Sequence, residues 1–291
     1  MTWDSGSYSS TGEQGVVTTD TPCRRCQYNL RTLAVDGVCP ECGTPVALSV
    51  RGDLLRFADP NWVERLTGGL LLIILSALLQ IGLIVVVMVW VVMAVVSVRG
   101  TRLSPLWPLL GVAIFAVAAL GIFLSTAPDP SGLGEDQYGR ARRLVWAMLA
   151  VNVAGQLTLM LSDMTLPSGP LLVALQACSA VGTLAGVVEI FALLDYLSKL
   201  ALRIPDAAMF QRGKHLKWGV TIPYSVIAIV QACETIWRPA PGVLAGIGCF
   251  MGVVGIAVLI YGILCLLFLD RARRSLREQA ALSRETWGAA A

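Results

Sequence analysis

Cys23-Arg-Arg-Cys26 and Cys39-Pro-Glu-Cys42, twelve residues apart, are the side chains in this sequence best suited to chemistry. Each Cys-x-x-Cys turn aims two sulfurs at one point, and two such turns close a tetrahedral shell. Zn²⁺ accepts four thiolates at about 2.3 Å without geometric strain. A shell of four thiolates leaves no open position for water, so the metal expected here is structural and not catalytic. Three alternatives stand beside zinc. Iron in a rubredoxin-like site uses similar turns, usually with a longer insert. A redox dithiol needs only one pair, and two disulfides would require an oxidising compartment.

The residues around the cysteines suit such turns. Pro40 fixes φ, and Gly43 accepts the left-handed conformation that often follows a last ligand. Gln27 occupies the equivalent place in the first turn, where glycine would be easier. Leu30, Leu33, Val35 and Val38 are the sparse apolar set of a small two- or three-stranded β zinc ribbon over residues 21–50. So little core needs metal binding, at roughly 10–16 kcal/mol, to fold. By elimination Arg24, Arg25, Tyr28 and Arg31 are left as the exposed contacts, which makes a cytosolic protein the expected partner of this head.

CRRCQYNLRTL followed by CPECG resembles the zinc-ribbon head carried by many bacterial multi-pass membrane proteins, whose first half runs CxxCxYxLRxL. Tyr28, Leu30, Arg31, Leu33 and all four cysteines match that pattern. LALRIPD at 200–206 is also similar to a connector of such proteins. The resemblance implies a zinc ion and a membrane-embedded architecture, and it implies no activity.

The rest of the chain must position this head. Hydrophobic residues make up 56% of the 291 and charged ones only 14%, with a mean hydropathy of +0.71. Soluble domains run nearer 45–50% apolar and about 25% charged. Apolar runs recur after Gly69, each near the roughly 20 residues a helix needs to cross a bilayer. The reading is an all-α integral membrane protein with a six-helix transmembrane bundle over 69–269. Its spans are 69–97, 104–125, 144–163, 171–197, 217–237 and 243–269. Residues 1–20 lack both the apolar content to order and the pattern of a secretory signal. Residues 51–68 form a linker and the start of an interfacial helix. There Asp59 serves as N-cap, Pro60 as first helical residue, Trp62 sits at the lipid interface, and Gly68-Gly69 mark a possible bend. A basic tail covers 270–291.

Basic residues set the orientation. With the N-terminus inside, the inner segments hold Arg51, Arg56, Arg65, Arg140, Arg142, Arg143, Lys199, Arg203, Arg212, Lys214, Lys217 and the tail arginines. The outer connectors hold only Arg99, Arg102 and Arg238. This asymmetry follows the positive-inside rule and puts both termini in the cytosol of a bacterial inner membrane. Arg271, Arg273, Arg274 and Arg277 are expected to meet anionic lipid headgroups, with topology enforcement as the equal alternative.

Ionisable groups at membrane depth are costly. Asp195 with Lys199, and Glu234 with Arg238, have the favourable i,i+4 order and read as interfacial ion pairs. Glu189 has no such neighbour. It continues a small-residue stripe of Ser179, Gly182 and Gly186, so it points into the bundle. Folding the 144–197 hairpin about PSGP (167–170) brings Asn152 to its depth, with Gln156 one turn further out. A protonated Glu189 bonded to Asn152 is one reading; a polar site in a small transporter or channel is the other. Glycines along 243–269 give a packing groove, within the bundle or in a homo-oligomer, and Cys178, Cys233, Cys249 and Cys265 read as small buried hydrophobes.

Several classes are excluded. The head through Leu66 holds six Arg against eight Asp and Glu, the wrong balance for nucleic acid. No phosphate loop or HExxH is present, and His215 is the single histidine, so no enzyme is expected.

Overall fold

A computed structural model describes residues 15–50, 54–96, 106–130, 135–165, 169–204, 207–236 and 241–288. Most of the expected disordered N-terminus (1–14), Arg51 and the connectors at 99–102 and 238–240 lie outside the described residues, and at Glu234, Cys249 and the glycines from Gly242 to Gly252 the helix backbone alone is described.

The helices are α1 (Val46–Val50), α2 (Pro60–Val96), α3 (Leu106–Ser125), α4 (Glu135–Thr165), α5 (Pro170–Ala201), α6 (Ala207–Ile236) and α7 (Pro241–Gly288), with a 3₁₀ turn at Leu55–Phe57. Four stretches among the described residues are long and apolar enough to cross a membrane: Pro60–Val87, Gly139–Leu161, Pro170–Ala201 and Val253–Gly288. Leu109–Ser125 is a shorter apolar helix. α6 carries Arg212, Lys214 and Lys217 in its first half, which lowers its apolar character. Ile84, Val85, Val89 and Leu259, among many others, are exposed, as a lipid-facing belt requires.

Helices α2 to α7 pack in chain order, and α7 returns to α2 to close a ring. Cross-helix pairs run antiparallel throughout. Gly69 meets Gly121, Gly155 meets Gly182, Gly213 meets Phe268 and Gly219 meets Tyr261. At one close crossing, Gly155 and Gly182, a Cβ on the first would lie 2.5 Å from the Cα of the second. Small residues there let the α4 and α5 backbones touch.

Asp59 caps α2 as expected, its Oδ1 accepting the Asn61 N–H at 2.8 Å. α2 runs unbroken through Gly68-Gly69. Gly69 instead admits α3: a Cβ there would sit 2.4 Å from Ser125 N. Trp62 is not at a lipid interface either. It is 2% exposed, with Nε1–H donating to the Ala127 carbonyl at 3.0 Å. The short polar path from α3 into the next loop leaves a carbonyl that an indole can satisfy indoors.

The basic segment after 269 is not a separate tail, since α7 runs unbroken to Gly288. Ala272, Leu276, Ala280 and Ser283 form a buried stripe at helical spacing, and α7 packs on α2. Ser283 Oγ–H and Trp287 Nε1–H both donate to the Ala58 carbonyl, at 2.6 and 2.9 Å.

The head contains no named strand among the described residues. Its backbone is tied by three isolated antiparallel bridges, Val16 to Ala34, Pro22 to Asn29 and Val38 to Pro45. Turns interrupt each pairing before a ladder can extend. Val17, Cys23, Leu30, Cys39 and Val46 form a core of their own, distinct from the bundle core. The folded head therefore starts by Gly15.

Candidate functional site

The four cysteines converge. Their sulfurs lie within 4.8 Å of one another, and no disulfide joins them. Cys23 Sγ and Cys42 Sγ are 3.6 Å apart, Cys26 Sγ and Cys39 Sγ 3.5 Å. A tetrahedron with metal–sulfur bonds of about 2.3 Å has edges of about 3.8 Å, so this donor set fits a thiolate-bound ion.

Two matched knuckles build it. Gln27 N–H donates to the Cys23 carbonyl and Gly43 N–H to the Cys39 carbonyl, both at 2.9 Å. Cys23 N–H donates to the Tyr28 carbonyl and Cys39 N–H to the Thr44 carbonyl, both at 2.8 Å. Gln27 has φ 65 and Gly43 φ 71, so both turns need the left-handed region after their second cysteine. Glutamine bears a conformational cost there that glycine escapes.

The thiols differ in acidity when no metal holds them. Burial raises Cys42, but Thr44 and the neighbouring thiols outweigh it and bring the group down to about 6. At Cys26 the Tyr28 backbone lowers the thiol, while burial and the three other cysteines together push it up to about 12. Burial also raises Cys23. Cys42 is thus the readiest thiolate of the cluster.

Of the four expected surface contacts, Arg25 and Tyr28 are exposed and Arg31 is exposed but paired to Asp20 at 3.5 Å. Asn29 Nδ2–H also donates to Asp20, and this bond, then Arg31, holds the Asp20 carboxyl below its ordinary value. Arg24 differs: it is 6% exposed. Its N–H donates to Ser49 Oγ, and its side chain lines a crevice of about 320 Å³ with Asp59, Asn61, Asp129 and Trp287. Arg24 faces the bundle, because its place in the first knuckle turns it toward the crevice that Asp59 and Asp129 line.

Beneath that crevice lies a latch the sequence did not reveal. Arg203 Nη1 donates to Asp129 Oδ2 at 2.9 Å, with side chains 4% and 1% exposed. The guanidinium also stands 5.4 Å from the Trp62 ring, and the Arg203 carbonyl accepts the Leu55 N–H. One residue thereby joins the linker, α2, the α3–α4 loop and the α5–α6 connector. Its sequence signals were its place in LALRIPD and among the inner basic residues, and Asp129 lies 74 residues away.

At membrane depth, Asn152 Nδ2–H donates to Glu189 Oε2 at 2.9 Å, and Glu189 is 3% exposed. Gln156 joins them, with Thr183 and Tyr224, in the wall of a cavity of about 370 Å³ between α3, α4, α5 and α6. Asp195 binds Lys199 at 2.8 Å and also Lys217 at 2.7 Å. Cys265 is half-buried, whereas Cys178 and Cys233 are exposed on their helices, not buried as expected. Gly255 and Gly262 of the glycine-rich helix face open space.

The arginines after 269 divide by helix face. Arg274 pairs with Asp270, and Arg273 and Arg277 line a groove beside Glu64 and Arg284, which form an ion pair with each other. Arg271 points instead toward α6. No protein-family model, curated protein or solved structure matches the chain.

Proposed function

We propose that this chain is a membrane-embedded docking protein of a bacterial inner membrane. In this reading six helices cross the bilayer, both termini are cytosolic, and a structural Zn²⁺ stiffens the head that a cytosolic protein recognises. The observation that carries it is the head's independent core beside exposed apolar residues. Tyr28 is 41% exposed and Val38 59%, and each lies within two residues of the Cys26–Cys39 edge. Neither belongs to the lipid-facing helices, and aromatic side chains with arginine neighbours are typical anchors of interfaces. Arg25 supplies that neighbour.

A photocrosslinking residue at Tyr28 in the full chain, in its native membrane, tests the reading. The expected result is a crosslink to one soluble polypeptide that disappears in Cys39→Ser. A crosslink pattern indifferent to that change, or crosslinks to lipid alone, would remove the docking role. Inductively coupled plasma analysis of the same preparation should give one zinc per chain.

The cavity beside Glu189 supports a second reading, a small transporter with Glu189 and Asn152 in its path. Proton or cation flux into vesicles bearing the purified chain, lost in Glu189→Gln, would support it.

A further inference from the structure

Three polar groups that no described residue engages line the cavity of about 370 Å³ between α3, α4, α5 and α6. They are Glu189 Oε1, the Gln156 amide and the Tyr224 hydroxyl. Of the Glu189 carboxylate, Oε2 alone is taken, by the Asn152 amide at 2.9 Å. Glu189 is 3% exposed, so Oε1 has the cavity before it and not bulk water. Helix register sorts the lining into two ends. The Lys217–Asp195 bond aligns α6 with α5. Tyr224 lies seven residues beyond Lys217 and Glu189 six from Asp195, so the two are level. The bond from Trp146 to Thr126 aligns α4 with α3 in the same way. It sets Asn152 near Ile122, and Gln156 near Phe115. The carboxylate end therefore holds Glu189, Asn152 and Tyr224, while Gln156, Thr183 and Phe115 stand at the other. Thr183 and Glu189 are separated by about 9 Å, at 1.5 Å per helical residue. Val187 and Ile227 line the stretch between.

A carboxylate at membrane depth calls for a counter-charge. No basic residue is among the described lining, and Lys199 and Lys217, the next cations along these helices, are both bound to Asp195 at 2.8 and 2.7 Å. A proton on Glu189 would cancel its charge but leave the Gln156 amide, the Tyr224 hydroxyl and the apolar walls unused. A bare hard cation gathers about six oxygens around one point, whereas these polar groups are spread along the cavity. We infer that the cavity binds a small organic amine with an aromatic or apolar body. Its ammonium donates to Glu189 Oε1 and to the Tyr224 hydroxyl, its body lies along Val187 and Ile227, and a polar far end meets Gln156 beside Phe115. A charge-assisted bond to a desolvated carboxylate is among the stronger polar contacts, and a ring face such as that of Tyr224 attracts an ammonium further. The volume falls within the roughly 300–1,000 Å³ usual for ligand sites. The assignment rests on the same site as the transporter reading and gives it a ligand class.

The full chain in detergent is titrated with tyramine, an aromatic amine with a polar far end, and read by calorimetry and by thermal shift. One tyramine per chain and a raised Tm are expected. Tyrosol, its neutral alcohol analogue, should bind at least roughly tenfold more weakly, about 1.4 kcal/mol, and sodium chloride at the same concentration should not displace tyramine. Glu189→Gln keeps an acceptor for Asn152, so it should hold the parent Tm without ligand and lose tyramine affinity by a similar factor. Ile227→Trp should block binding by filling the cavity, and Arg277→Gln, in another groove, should leave it unchanged. In the unaltered chain, equal affinity for tyrosol, displacement by sodium, or no saturable tyramine binding would each overturn the assignment, as would full affinity in Glu189→Gln. Tyramine that binds but is not carried into vesicles would uphold this site and remove the transporter reading. Ion flux without tyramine binding would do the reverse.

Discussion

Arg203 and Asp129 form a fully enclosed ion pair at 2.9 Å that joins two loops on the head side of the bundle. Removing one partner strands the other charge, which typically costs about 3–5 kcal/mol. Asp129→Leu or Arg203→Met should each unfold the bundle at lower denaturant or lower temperature. The double variant should recover much of the loss, because neither charge then remains. Additive losses in a double-mutant cycle would show that the pair acts through something other than mutual compensation.

Gly155→Ala and Gly182→Ala push methyl groups into the same backbone contact. Overpacking of this kind costs about 1–3 kcal/mol, and the helices must part. The two should be non-additive, since the first separation makes room for the second. Gly255→Ala is the control: open space surrounds that position, so helix propensity predicts a gain of up to about 1 kcal/mol. Thermal unfolding in one detergent ranks all three.

Glu189→Gln preserves an acceptor for the Asn152 amide, whereas Glu189→Leu leaves that amide without a partner at a cost of about 1–3 kcal/mol. If Glu189 serves packing, the glutamine form should match the parent in stability and the leucine form should not. A stable glutamine form that has lost ion flux would instead mark the carboxyl as working.

In chelator-treated protein Cys42 and Cys26 should react in an order opposite to their exposure. Cys42, near 6, is mostly thiolate at neutral pH and should alkylate first; exposed Cys26, near 12, should lag. The signs for stability also oppose. The depressed Cys42 contributes fully above its ordinary 9.0 and loses that contribution as pH falls through about 6. The raised Cys26 contributes below 9.0 and loses it as pH rises through about 12. The thiol contribution to the metal-free head should therefore peak near pH 9, read from the hydrogen-exchange protection of Leu30 and Val46 that survives chelation. Metal should remove the difference between the two cysteines by holding both as thiolates.

Local spacing made the cysteine cluster readable, because two knuckles within twenty residues leave few ways to fold. Asn152 and Glu189 were readable for a similar reason: one hairpin fixes relative depth, and a small-residue stripe fixes facing. The Asp195 pair with Lys199 followed from helical periodicity, while Lys217 came from the next helix and did not. Arg203, Asp129 and Trp62 were hidden because their partners lie on three separate connectors. A positive residue beside a membrane looks the same in sequence whether it meets water or a buried carboxylate. Arg24 was misjudged for that reason. The strands expected in the head came from apolar alternation too short to extend a ladder. The tail was read as free because its charges masked the Ala272, Leu276 and Ala280 face.

The Ala58 carbonyl, which accepts from Ser283 and Trp287, also constrains biogenesis. Its partners emerge from the ribosome 225 and 229 residues later, about ten to fifty seconds at 5–20 residues per second. Throughout that interval the first long helix sits in place with one flank bare. A nascent chain stalled before Ser283 should stay open to a chaperone or protease at the α2 flank, and only the emergence of Ser283 and Trp287 should shut it.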